Sequence, residues 1–192
     1  MYRRLISISF IVQLSFLMGA HAQYKYSGNF IINGNISQIA KNGTVYLEYS
    51  NNYAQKRDSA KIRNGLFVLK GRIDEPKKCL MYLRERGGKS NSDNLFQFYL
   101  QPSVCRLMAK KRLCDATIKG SQVNDDKLLY ESMTKKLYDV LGDLYPKYYQ
   151  VLNKDKAEEH NLSIKVDSVA NLIAQRQEEF VKSHPGSPYS LD

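Results

Sequence analysis

The side chains of this 192-residue sequence that could do chemistry are few: three cysteines, two histidines beyond residue 22, and a knot of tyrosines. Thiol–disulfide exchange usually runs on a Cys-x-x-Cys pair with a lowered thiol pKa. Cys79, Cys105 and Cys114 form no such pair, and their odd number leaves at least one thiol unpaired within a monomer. Cys105 and Cys114 fall on neighbouring predicted strands joined by LMAKKRL, and a turn near Ala109-Lys110 would set them face to face. Facing strand positions can accept a disulfide, whose geometry is exacting. Two buried free thiols are the preferred reading, with a Cys105–Cys114 structural staple as the alternative. A Ser or Cys nucleophile needs a neighbouring base, usually His. His160 and His184 lie in the C-terminal part, far in sequence from every cysteine, and neither has the H-x-x-x-H spacing of a metal pair. His160 follows two glutamates and reads as solvated, whereas His184 suits a helix C-terminus. With no phosphate loop and no dinucleotide glycine pattern either, the residues predict no catalytic, cofactor-binding or metal site, and no cofactor. Tyr145, Tyr148 and Tyr149 in YPKYY could stack on a sugar or peptide, but packing at a domain junction is their commoner use.

The elements that must carry these residues change character along the chain. Residues 1–22 read as a signal peptide. Arg3 and Arg4 precede an apolar run from Leu5 to Met18, and Ala20-His21-Ala22 offers small residues for cleavage. That run is short for a membrane span of about 20 residues, and no later stretch is long and apolar enough, so no transmembrane segment is expected after cleavage. Export to the periplasm or cell envelope follows. Residues 23–120 carry 18 basic and 7 acidic side chains, and residues 121–192 carry 9 and 12. A basic half raises nucleic acid as a partner, but export argues against it. Anionic envelope polymers or a plain solvated surface fit better. Opposite charge also favours docking of the two halves.

Residues 23–120 punctuate like a β-rich domain. Tyr24, Tyr26, Phe30 and Ile32 share a strand face, and Asn33-Gly34 is expected to bend that strand or form a bulge. In DSAKIRNGLFVLKGRI, Asn64-Gly65 is a two-residue hairpin turn. Further strands are read at KCLMYLRE, LFQFYL, SVCRLMA and DATIKG, with Gly87 to Asn94 as a mobile loop. After Gly120 the period becomes helical. Leu129, Met133, Leu137, Leu141, Leu144, Tyr148 and Leu152 form one stripe, and Leu162, Val166, Val169, Ile173 and Phe180 form another. Pro146 should kink or divide the first helix, and the turn should fall near Asn153 to Asp155. The fold class is therefore α+β: an antiparallel β-sandwich or open barrel of about eight strands, then a helical connector over residues 121–186 shaped as a hairpin. In residues 187–192, Ser187-Pro188 looks like a helix start with too few residues after it to sustain a turn.

Five stretches carry a resemblance: FIINGNI, NGTVYLEY, DSAKIRNGLFVLKGRIDEP, FQFYLQP and ATIKGSQVN, in order from Phe30 to Asn124. They resemble the N-terminal domain of unknown function of exported bacterial thioredoxin-like disulfide reductases. FVKSHPGSPYSL is similar to the segment leading into that family's next part. The resemblance implies a thioredoxin-fold domain with a W-C-x-x-C motif beyond a junction, which makes residues 187–192 read as a truncated junction. None of the three cysteines matches that motif. The expected function is an exported, non-catalytic accessory or binding module of the cell envelope, whose partner is a thioredoxin-fold protein or an envelope ligand. The alternatives are a thiol–disulfide oxidoreductase whose catalytic domain is missing, and an envelope sugar- or peptide-binding protein.

Overall fold

The computed structural model describes residues 27–51, 54–83 and 92–191. The expected signal peptide, and all but the last residues of the expected mobile loop, lie outside the described residues. Eight strands form one sheet: β1 (Gly28–Asn35), β2 (Asn42–Asn51), β3 (Ala54–Arg63), β4 (Leu66–Ile73), β5 (Lys77–Leu83), β6 (Leu95–Leu100), β7 (Val104–Met108) and β8 (Thr117–Lys119). Two helices follow, α1 (Gln122–Val151) and α2 (Lys156–Ser183). The fold is thus α+β, a curled half-barrel sheet followed by a helix pair. Of the two β arrangements expected, the single open sheet is the one found.

Strand order explains the curl. The sheet runs β6-β5-β2-β3-β4-β1-β7-β8. In a flat sheet β6 and β7 would lie six spacings apart, about 29 Å. Yet the chain passes from Leu100 to Val104, a reach of at most about 14 Å. The sheet must bend until these strands approach one another. The same path corrects the expectation of a wholly antiparallel sheet: β1 and β7 pair in parallel, Ile31 beside Val104 and Asn35 beside Met108. Going round from β1, each antiparallel step reverses direction, and the reversal after β6 returns β7 to the direction of β1.

Alternation fills the inside of the curl. Phe30, Ile32, Val45, Leu47, Ile62, Phe67, Leu69, Ile73, Met81 and Leu107 are all buried in one core. Asn64 and Gly65 close the β3–β4 turn with φ of 51° and 78°, as the sequence predicts. Gly34, however, makes neither bend nor bulge. It sits in regular register opposite Phe67, and Phe30 sits opposite Gly71. A Cβ on Gly34 would lie 2.0 Å from the Phe67 ring, and one on Gly71 would lie 2.6 Å from the Phe30 ring. Each glycine vacates the space that the opposing ring fills, so its role is close approach rather than curvature.

The helices form an antiparallel pair. Asn153 takes a positive φ of 61° in the turn, and the Asp155 carboxylate caps α2 by accepting from the backbone N–H groups of Ala157 and Glu158. Leu162, Ile173 and Phe180 are buried as expected, with Val166 and Val169 half-buried. On α1 the stripe is less regular: Leu141 is buried, but Leu129 is exposed and Thr134 is buried instead. Pro146 does not divide α1, which continues to Val151. Proline frees the carbonyl four residues earlier, that of Gly142, and both residues are exposed, so water can satisfy that group. No helix among the described residues is long and apolar enough to cross a membrane.

Candidate functional site

Polar and aromatic contacts gather where α1 and the C-terminal turn meet the sheet edge, with α2 packed behind them through Phe180. Strand β6 is an outer strand, so one row of its backbone groups lacks a strand partner. Asn124, in the first turn of α1, supplies one. Its Oδ1 accepts from the Tyr99 N–H at 2.9 Å, and its Nδ2 donates to the Tyr99 carbonyl at 2.7 Å. The side-chain amide thus copies the paired hydrogen bonds of a neighbouring strand. A third bond, from Nδ2 to Ser121 Oγ at 2.6 Å, fixes the amide from the helix side. One residue earlier, Val123 N–H donates to Gln101 Oε1 at 2.9 Å. These bonds orient the start of α1 against β6.

The chain's last turn closes the other side. Pro188–Leu191 forms a 3-10 turn, contrary to the expectation that too few residues remain for one. Tertiary contact supplies what local nucleation cannot. Ser187 is fully buried and its hydroxyl donates to the Asp126 carboxylate of α1. The Tyr189 ring meets Tyr99, Tyr130 and Phe180 edge-on at centroid distances of 5.6, 5.7 and 6.0 Å. Burial pushes the Tyr130 phenol up to about 12, with Tyr138 beside it adding to the shift, so it stays neutral at physiological pH. His184 ends α2 as expected, stacked on Phe180 at 4.6 Å. Strand, both helices and last turn are therefore clamped into one joint. Beside it Lys78, Gln97, Tyr99, Lys127 and Tyr189 line a cleft of about 140 Å³. That is below the roughly 300 Å³ of the smaller ligand pockets.

The residues singled out from sequence lie elsewhere. Tyr145, Tyr148 and Tyr149 are not at a domain junction. They cluster about 36 Å along α1 from Asn124, with Tyr145 and Tyr149 exposed and their rings 6.2 Å apart. The junction tyrosines are Tyr99, Tyr130 and Tyr189, which are dispersed in sequence and give no local signal. Asn124 and Asp126 had one faint mark: polar residues near the start of a helix, at positions that turn out to face protein. His160 is exposed.

The thiols are likewise dispersed. Cys105 sits on β7, where its Sγ lies 3.0 Å from Ser103 Oγ and 3.7 Å from the Gly120 carbonyl. Cys114 is not on the strand opposite. It lies in a 3-10 turn, Leu113–Asp115, because Leu113 is drawn into the core and Arg112 clasps Asp115 with two hydrogen bonds of 2.8 Å. All three cysteines are free thiols. Burial pushes the Cys79 thiol well above its ordinary value and raises Cys105, each against the opposing effect of a hydrogen bond. Cys114 is raised by partial burial, with Arg112 pulling the other way. A raised pKa means less thiolate at neutral pH, hence slower attack on electrophiles. In native protein at pH 7.5, iodoacetamide should therefore label Cys114 more slowly than a free thiol, faster as pH rises. Cys79 and Cys105 should react only on unfolding. Rapid native labelling of either buried thiol, read by peptide mass mapping, contradicts this placement.

Among the described residues no group of three or more His, Cys, Asp or Glu side chains could hold a metal ion. The sequence profile of the family described as Domain of unknown function (DUF4369) matches residues 30–127. That span takes in β1 from Phe30 on and the whole of β2 to β8, and it ends just past Asn124 and Asp126, so the start of the joint falls inside it. No curated protein matches the chain.

Proposed function

We propose, since this chain belongs to the DUF4369 family, that it is a non-catalytic accessory module of the cell envelope, exported by its N-terminal segment. Its work is to hold the β-sheet and the helix pair in a fixed relation and to present them to a thioredoxin-fold partner. The joint carries this reading. Asn124 takes the place of a strand on β6, and Asp126 grips the buried Ser187 from the other side. Two long helices fixed at one end in this way can orient a partner over a distance of about 40 Å. A loose linker could not set such an orientation.

The partner class comes from the resemblance of the Asp58–Pro76 string and its companion stretches to the N-terminal domain of exported thioredoxin-like reductases. The chain's own thiols are poor candidates for electron exchange, because burial raises all three and no two share a Cys-x-x-Cys motif. An insulin-reduction assay with dithiothreitol as electron donor tests the non-catalytic part. The expected rate equals the uncatalysed background, with or without replacement of Cys79, Cys105 and Cys114 by serine. Turnover above background that disappears in the triple variant would sink this reading and favour an oxidoreductase.

A further inference from the structure

The sheet has a second face, turned away from the core, and its composition is unusual. Three cross-strand rows run over β4, β1, β7 and β8. The first places Lys70 beside Ile31 and Ile31 beside Val104. The second runs Val68, Asn33, Arg106, Lys119. The third runs Leu66, Asn35, Met108, Thr117, with Arg63 of β3 flanking Leu66. No carboxylate stands in these rows. Arg63, Lys70, Arg106 and Lys119 are exposed, and none of their side chains makes a hydrogen bond or ion pair among the described residues. Between them Val104 is 63% exposed, Leu66 53%, Met108 50% and Val68 47%.

Cations and large apolar side chains side by side on a rigid face ask for a partner that offers both negative charge and an apolar layer. A soluble polyanion would use the cations alone and leave four large apolar groups in water. An anionic bilayer takes both: phosphates pair with Lys and Arg, and Leu, Val and Met enter the boundary between headgroups and acyl chains. We propose that this outward face of β4-β1-β7-β8 is a docking surface for an anionic lipid membrane. The surface lies on the sheet, does not use the joint, and stands independently of the accessory role above.

Vesicle co-sedimentation of the full chain tests it. Vesicles containing phosphatidylglycerol are compared with pure phosphatidylcholine, which reports whatever the apolar N-terminal run contributes. The phosphatidylglycerol vesicles should bind the wild type more strongly, and 0.5 M salt should release that excess. The triple variant K70E/R106E/K119E should lose about a hundredfold in partitioning. V104S/M108S should lose about tenfold, with its binding to heparin, a soluble polyanion, unchanged. Thermal melts by circular dichroism check that each variant is folded, and the wild-type salt arm stands without any variant. The proposal is overturned if the charge reversals leave binding intact. It is equally overturned if V104S/M108S binds vesicles like the wild type, which assigns the face to soluble polyanions. Absence of recruitment by phosphatidylglycerol also overturns it and leaves an acidic protein as the partner class.

Discussion

Gly34→Ala should destabilise the protein by about 3 kcal/mol, at the upper end of overpacking costs in a close-packed core. The new methyl group would sit 2.0 Å from Cζ of Phe67, far inside contact distance. The ring cannot simply withdraw. Phe67 is buried, and its strand is pinned by eight register pairs to β1. Either the ring leaves its rotamer or β1 and β4 separate, and both disturb the sheet's centre. The sharper test is a double-mutant cycle. Phe67→Ala alone removes a buried aromatic and should cost about 3–5 kcal/mol. In Gly34→Ala/Phe67→Ala the methyl enters the space the ring has left, so the pair should cost at least about 1 kcal/mol less than the sum. Urea denaturation measures all three. Strict additivity would mean that the ring does not occupy the place a Cβ needs.

Asn124→Ala should cost about 3 kcal/mol, through a different mechanism. The substitution strands the N–H and the C=O of Tyr99, and an unsatisfied buried polar group costs roughly 1–3 kcal/mol. Asn124→Asp keeps the shape but places an oxygen against the Tyr99 carbonyl, so it should not rescue. The loss should also be local at first. Hydrogen exchange should accelerate in the first turn of α1 and at Tyr99, while the amides of β1 and β4 at the sheet's centre keep their protection. A uniform increase across the sheet would show that Asn124 supports the whole fold rather than the joint. Unchanged stability would remove the strand-mimicking contact, and with it the main support for an orienting role.

These two residues also mark what could be read in advance. Asn64-Gly65 was legible because a two-residue turn with positive φ at both positions needs those residue types and no others nearby. Gly34 was misread because its reason lies 33 residues away, at Phe67, and a glycine in a strand looks the same whether it bends the chain or makes room. Leu162, Ile173 and Phe180 were legible as one helical face because their common burial follows from a period of 3.6. Leu129 obeyed the same period yet is exposed, while Thr134 is buried, because a period says which residues share a helix face and not which face the rest of the chain covers. Cys105 and Cys114 were placed face to face on the assumption of a tight turn. Instead, the burial of Leu113 winds that segment into a 3-10 turn and shifts the strand partner of β7 to residues 117–119.

The sequence by itself determined the local matters: which part of the chain is β-rich and which helical, where the β3–β4 hairpin turn and the turn between the helices fall, and that no two thiols stand in a Cys-x-x-Cys pair. Those follow from the dihedral limits and side-chain periodicity of a few neighbouring residues. The tertiary structure alone decided the curl that sets β7 beside β1, the fit of Phe67 over Gly34, the clamp of Asn124, Asp126 and Ser187, and the uncompensated cations on one sheet face. Each of these depends on groups far apart in the chain meeting at distances of a few ångströms, and pattern along one segment carries no record of what will face it.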